Sequence, residues 1–460
     1  MNVIQKVVEK GWCIGCGMCA AVCPKNRLDI RWNDRGEYNP VEVDGCADCG
    51  KKCSLCYQVC PAHGNTKNET EIGREWYGDV KGIHHTDETG YYLSSYVGYS
   101  DKNDHRKNGA SGGMATWTLE TLLETGEVDA VAAVGRTTDP DKLFEFKICK
   151  KTEDIRACSR SAYYPVETSR IIRYILHNDG RYAIIGLPCV CKAIRLAQDK
   201  FPKLKQRIKY VLGLTCGHQC SKFFPEYICA LGGGNPRELK EFIFRKKDLT
   251  QPASNHPMYF RSGEGKDLVS RQVLWSDGVG FTYVNGYFQL PGCFYCDDIF
   301  AECADADFMD AWLPEYKKQP EGHSLVLVRD LRIDEYIQKA IRNDLSIVKL
   351  PAEKVIQSQQ STLDRVRRRN SGTGTFPVLR SRLHKHPMIL QPELLRMQKA
   401  ISKTSSLQWN SSGKDFSEFG EAMLPLRKHL EKYQKRQRFL RLPARIYGRV
   451  KRILKNTQGF

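Results

Sequence analysis

The sequence lacks any long apolar run. No stretch approaches the roughly eighteen consecutive apolar residues that a membrane-spanning helix requires, so no such helix is expected. The opening MNVIQKVVEKGW has no apolar core of a secretory signal, which makes a cytoplasmic protein the expectation. Acidic charge is scarce in one place only. Residues 361–460 hold 6 Asp and Glu against 23 Lys and Arg, whereas residues 1–360 hold 47 against 48. The net charge of +18 is therefore a property of the tail and says nothing about the rest of the chain. The tail has neither zinc-finger spacing nor an aromatic-rich RNA motif, so nucleic acid is not an expected partner.

Cysteine is abundant, with 19 residues. Without an export signal, that number argues for metal and redox chemistry rather than disulfides. Cys13, Cys16, Cys19 and Cys23-Pro24 read C-x2-C-x2-C-x3-C-P. A C-x2-C-x2-C turn wraps backbone around a 4Fe–4S cluster with three thiolates inward. The fourth Cys, before Pro, ligates the other cluster of a pair. On that logic Cys13, Cys16, Cys19 and Cys60 hold one cluster and Cys23 joins a second. Structural zinc fits the interleaving and the two prolines, Pro24 and Pro61, less well.

The second run is irregular. Counting back from Cys60 gives Cys56, Cys53 and then Gly50; counting forward from Cys46 gives Cys49 and then Lys52. The expected set is Cys46, Cys49 and Cys56 with Cys23, and Cys53 is the alternative.

Downstream, residues 71–95 read as a polar connector with Gly73, Gly78 and Gly82 as breakers. His84 and His85 within it are expected to be solvated. Ala110-Ser111-Gly112-Gly113 then leads into a helix over 114–124, with Ser111 as its expected cap and a helix N-terminus suited to an anion. Strands are expected at 128–134, 144–150, 181–189 and 209–214, with helices at 168–178 and 192–200. This order predicts an α/β body with a largely parallel sheet. Cys189 and Cys216 fall at carboxyl ends of strands, where such sheets place ligands. With Cys293 and Cys296 they make four thiolates, the count of a third cluster. Cys191, Cys220 and Cys303 are the nearest competitors, and Cys149, Cys158 and Cys229 read as small buried residues. Further strands are expected at 241–245, 269–275, 323–329 and 346–350, with a helix at 334–342 and the body ending near Gln360.

Taken together these motifs resemble the family of coenzyme F420-reducing hydrogenase/dehydrogenase beta subunits, which includes 7-hydroxymethyl chlorophyll a reductase and bacterial polysaccharide-cluster members. The resemblance covers residues 1 to about 360. It rests on the ferredoxin run, Ala110–Gly113, Arg160-Ser161-Ala162-Tyr163-Tyr164-Pro165, Gly186-Leu187-Pro188-Cys189, Leu214-Thr215-Cys216-Gly217-His218, Cys293-Phe294-Tyr295-Cys296, Ala306–Trp312 and Val355–Gln359. It implies a flavin, FAD in the type members, contacted at Ser111, Gly112, Gly113 and Pro188, beside a 4Fe–4S cluster. Val190 stands where many members have Gln, and Met309 where Gly is usual; both departures bear on the substrate pocket.

The organisation expected is thus a ferredoxin-type module at 1–70, a connector at 71–95, an α/β flavin and cluster body at 96–360, and a basic helical tail at 361–460. Clusters carry single electrons and a flavin converts them to hydride chemistry. The expected function is electron passage from reduced ferredoxin or a redox partner subunit to an organic substrate, small or lipid-linked, including polysaccharide intermediates. His218 is the candidate proton donor. The alternative is an electron-transfer subunit with no substrate chemistry. In the tail, Pro443 is expected to divide two helices. The second, with Ile446, Tyr447, Val450, Ile453 and Leu454 on one face and cations beside it, suits peripheral contact with the inner membrane face.

Overall fold

The computed structural model describes residues 2–43, 53–139, 141–343, 345–370 and 392–440. Cys46, Cys49 and the helix expected beyond Pro443 lie outside them.

The body is built on an eight-stranded sheet. Its strands are β5 (Ser94–Gly98), β6 (Ala130–Arg136), β7 (Phe144–Cys149), β8 (Tyr182–Gly186), β9 (Ile208–Leu214), β13 (Ala306–Asp310), β14 (Ser324–Val328) and β15 (Ile347–Lys349), in spatial order β15-β5-β14-β13-β9-β8-β6-β7. The four central strands, β13, β9, β8 and β6, run parallel. Antiparallel strands flank them on both sides. The parallel centre is covered on both faces, so its strands are near-continuous apolar runs. All five residues of Tyr-Ala-Ile-Ile-Gly in β8 are buried.

Alternation along the strands divides the core. Ala130, Ala132, Ile184 and Val211 face the helices Ser169–His177 and Pro188–Lys200. Val131, Ala133, Ala183 and Leu212 face the helices Met114–Glu124 and Leu331–Arg342. Ile171, Ile172 and Ile175 recur at helical spacing and are buried on the first side, each contributing about 2 kcal/mol.

The ferredoxin module packs on that first side. Its helix Met18–Ala21 lies against Ser169–His177. Thr168 donates from both its N–H and its hydroxyl to the Cys16 carbonyl, at 2.9 and 2.7 Å, and Arg173 Nη2 donates to the Ala20 carbonyl at 2.8 Å. The module also holds a hairpin of β1 (Leu28–Trp32) and β2 (Tyr38–Glu42).

Expectations about the boundaries change at three places. The stretch 71–95 is ordered structure rather than a bare connector. The helix Glu69–Tyr77 opens with a capping box between Asn68 and Glu71, and β3 (His84–Thr86) pairs with β4 (Gly90–Tyr92). His84 and His85 are exposed on β3, as expected. The body also runs past Gln360, because one helix spans Ala352–Asn370. Finally, part of the tail belongs to the body. Helices Pro392–Ser411 and Phe416–Leu440 share one apolar cluster with a second sheet of β10 (Leu239–Ile243), β11 (Pro257–Ser262) and β12 (Val269–Leu274) and with the helix Phe223–Leu231. Trp409, Phe419 and Met423 are buried there with Phe224, Phe260 and Phe288. No described helix is long and apolar enough to cross a membrane.

Candidate functional site

Two thiol sets meet where the module touches the body. Cys19 is held well above the usual thiol range by burial and then by the neighbouring thiols of Cys16, Cys13, Cys60 and Cys56. Cys60 is held up by burial, with Cys16 and Cys13 adding to it, and burial pushes Cys16 up to about 12. Four thiols that raise one another in a buried volume are a poor arrangement for free thiols. They suit a cationic iron core that takes them as thiolates. Cys56 is raised by burial and by Cys23 and Cys53. The structure therefore gathers Cys53 with Cys56 and Cys23, whereas the expected partners Cys46 and Cys49 lie outside the described residues.

The thiols of the body lie near one another. Cys189 is held well up by burial and then by Cys296, Cys216, Cys293 and Cys16. Cys189 sits in the first turn of the helix that Pro188 opens directly after β8, so the expected strand ends at Gly186. Cys220 is buried beside Cys293 and Cys216. Cys191 instead donates to the Gly186 and Leu212 carbonyls, a core role. Cys303 is buried near Glu69 and Asp298. Among the described residues no three His, Cys, Asp or Glu side chains close on a single ion. A cubane spreads its thiolates over a larger volume than zinc does.

The presence of Cys16 among the thiols acting on Cys189 marks the junction of the two sets. A cleft of about 360 Å³ runs along it, lined by Trp12, His63, Cys189, Lys192 and Cys296.

On the other side of Cys216 lies a cation-lined region. His218 is buried and stacks on Tyr283 with ring centroids 3.9 Å apart. Tyr283 neighbours Tyr163 at 5.6 Å. Burial raises Tyr163, and Arg245, Asp310 and Cys216 act on it in turn. Arg245, in a left-handed turn after β10 at φ +56°, pairs through both guanidinium nitrogens with Asp310. Lys247 donates Nζ to the carbonyls of Arg106, Ser111 and Glu321, tying three loops together. Burial pushes Lys247 down to about 7, with Arg106, Arg245 and Arg160 adding to the effect and Asp310 opposing it.

The Ser111–Gly113 loop is at the centre of this region. Gly113, at φ +78°, is the residue that caps the helix Met114–Glu124, and a Cβ there would fall 2.6 Å from the His105 carbonyl. Ser111 is therefore not the cap. Its hydroxyl donates to the His323 carbonyl instead. Arg160, Arg156 and Arg136 line an adjoining cavity of about 180 Å³ with Asn108 and Phe244. The buried atoms Arg160 Nη1 and Arg245 Nε have no hydrogen-bond acceptor among the described residues.

Four cations with one facing carboxylate, and two orphaned guanidinium donors, fit an anionic ligand of the pyrophosphate kind. Sequence pattern does not reveal Arg245 and Lys247, which reach the site from the inserted sheet. Nor does it reveal Arg365. By sequence that residue belongs to the tail, but the long helix returns it to Gly217, where a Cβ would fall 2.5 Å from its Nη2. The Arg160-Ser161 motif is the one sequence signal for the cavity.

Paired thiol sets joined to a cation-lined α/β sheet edge define an iron–sulfur redox protein. A 4Fe-4S dicluster domain profile matches residues 12–67. The profiles for the N-terminal and C-terminal parts of the coenzyme F420 hydrogenase/dehydrogenase beta subunit match residues 95–173 and 179–354, together more than half of the chain. The chain belongs to that family. It is 23% identical over 356 residues to the coenzyme F420-dependent sulfite reductase of Methanocaldococcus jannaschii, covering 72% of this chain and 46% of the relative. It is 24% identical over 361 residues to a subunit of the F(420)H(2) dehydrogenase of Methanosarcina mazei, covering 76% and 87%. The chain thus spans about half of the first relative and most of the second. A chain of the F420-reducing NiFe hydrogenase complex from Methanosarcina barkeri aligns at TM-score 0.47 and 18% identity, over 63% of this chain and 92% of that one.

Proposed function

We propose that the protein is an iron–sulfur flavoprotein oxidoreductase that moves electrons between a redox partner, ferredoxin or a partner subunit, and an organic substrate in the body. The observation that carries this reading is contiguity. The Cys13–Cys60 set adjoins the Cys189–Cys296 set, and Cys216 of the latter adjoins Tyr163, Tyr283 and the cation-lined loops.

On this reading Cys13, Cys16, Cys19 and Cys60 hold one 4Fe–4S cluster, and Cys23, Cys56 and Cys53 hold a second with a fourth ligand from Cys46 or Cys49. Cys189, Cys216, Cys293 and Cys296 hold the third. Ser111, Gly112, Gly113, Lys247, Arg245 and Arg160 would hold FAD, and Pro188 is the further contact that the family resemblance implies. FAD, when bound, interconverts single electrons and hydride. Lys247 and Arg160 neutralise the anionic end of the ligand. Tyr283 fixes the plane of His218, and His218 is the group placed to hold a proton at the imidazole. Asp310 orients the Arg245 guanidinium, which also lies 5.5 Å over Trp312. The 1–70 module and the 96–360 body divide the work between partner and substrate, and the protein acts in the cytoplasm.

Anaerobic purification followed by acid extraction tests this reading. A released flavin, with a visible spectrum that reduced ferredoxin bleaches, is the expected result. Colour from iron and sulfide alone would refute the flavoprotein. The second reading, an electron-transfer subunit, is favoured by the relative named as part of a dehydrogenase, most of whose length this chain covers. Flavin that is reduced but reoxidised only by a partner protein would support it.

A further inference from the structure

Two cysteines outside all three thiol sets touch each other. Cys149 ends β7 and is buried, and Cys158 follows the helix Thr152–Ala157 and is half-buried. Nine positions apart in sequence, their sulfurs are 3.8 Å apart. The charged groups acting on Cys158 are Lys147 and Asp154, and none of the thiols of the three sets is among the groups acting on it. We propose that Cys149 and Cys158 form a reversible dithiol–disulfide site that reacts with low-molecular-weight disulfides and anchors the loop carrying Arg160.

The surroundings suit that chemistry. The two thiols are unequal. Cys149 is buried, whereas Cys158 is partly exposed. The half-exposed Cys158 is thus the attacking thiol and the buried Cys149 the resolving one. Gly135 on β6 leaves the room this needs, since a Cβ there would fall 2.8 Å from the Cys158 sulfur. Two buried thiols in a weak S–H···S contact can be mere packing. Here, however, the two sulfurs are 3.8 Å apart and Cys158 is only partly buried, which packing does not require.

The step balances. The Cys158 thiolate attacks one sulfur of R–S–S–R, forming a mixed disulfide and releasing RS⁻. Cys149 then loses its proton and attacks the Cys158 sulfur, releasing the second RS⁻. Two electrons pass from the protein to the small disulfide, and the two protons end on two RSH. The new bond ties the Cys158 turn to β7. That turn is otherwise held to the Asn108–Gly113 loop by the Ser159 hydroxyl, which donates to the Asn108 carbonyl at 3.1 Å. Arg160 follows at φ +87°, so the covalent tie restrains a backbone already in an uncommon conformation.

The test uses the anaerobically purified holoprotein, in which cluster thiols remain ligated. It is equilibrated across ratios of glutathione disulfide to glutathione, quenched in acid, alkylated and digested. The expected product is a cross-linked peptide pair containing Cys149 and Cys158, formed at ratios that leave iron content unchanged. Cys149→Ser should trap glutathione on Cys158, and Cys158→Ser should leave Cys149 unmodified. Independent alkylation of both sulfurs at every ratio in the wild-type protein would overturn the proposal. So would equal cross-linking of either one to Cys229. The wild-type measurement decides even if a variant does not fold.

Discussion

The carbonyl oxygen of Cys13 lies where a side chain on Gly292 would begin. A Cβ built on Gly292 falls 2.8 Å from Cys13 O and 2.5 Å from Trp12 O. The residue before Cys293 is therefore in backbone contact with the residue that starts the ferredoxin run. A glycine at this position lets two thiol sets far apart in the primary sequence approach this closely.

Gly292→Ala should open that contact. Overpacking against backbone costs about 1–3 kcal/mol, so the melting temperature of the anaerobic protein should fall by several degrees. Magnetic coupling between reduced clusters, read by electron paramagnetic resonance, should weaken. An unchanged coupling pattern would show that the two sets communicate by another route.

Cys53, which the irregular spacing left as the alternative, is the proposed ligand beside Cys23 and Cys56. If it joins Cys23 and Cys56, Cys53→Ala should lose about four of about twelve irons, by the four-thiolate rule for each cluster. Cys293→Ala should lose a similar share from the body. Iron analysis of anaerobically reconstituted protein checks both, and a full complement in Cys53→Ala would return the second set to Cys46 and Cys49.

Asp307 gives a pH signature. It is fully buried on β13, accepts from the Thr215 hydroxyl at 2.6 Å, and is raised by burial to about 7. An unfolded aspartate titrates near 3.9. Between the two values the folded state binds more protons than the unfolded one. The contribution of Asp307 to stability is therefore greatest at acid pH and declines as pH rises from about 4 to about 7, by an amount on the order of 3 kcal/mol. Denaturant titrations across that range should show the decline, and Asp307→Asn should flatten it.

The parallel centre of the sheet is legible in the sequence because buried strands are apolar. Tyr182–Gly186 and Ile208–Leu214 declare themselves by composition. Ala306–Asp310 does not, since Asp307 and Asp310 disguise a central strand as an acidic motif; each carboxylate has a specific partner, Thr215 and Arg245, that no pattern reveals. Ser94–Gly98 is hidden for the same reason, with Ser94 and Ser95 buried in the sheet. The thiols are legible because cluster chemistry imposes spacing. Arg245, Lys247 and Arg365 are not, because their convergence on Ser111 and His218 depends on how the inserted sheet and the long helix fold back.

The helical hairpin at 392–440 is a further case. Trp409 is fully buried among Tyr227, Phe288 and Phe419, and its indole N–H donates to Glu226 at 3.1 Å. Trp409→Ala should cost about 3–5 kcal/mol. Chemical denaturation of the purified protein measures this, and a loss below about 1 kcal/mol would mean the hairpin contributes little to the body.

The hairpin also reaches the first module. Asn410 Nδ2 donates at 3.0 Å to the carbonyl of Asp34, in the turn between β1 and β2. The two residues are 376 positions apart. During synthesis, at about 5–20 residues per second, the ferredoxin loops leave the ribosome well before Asn410 is made. The β1–β2 hairpin of the module is thus unclamped until the chain is nearly complete, and the synthesis of Asn410 closes that interval.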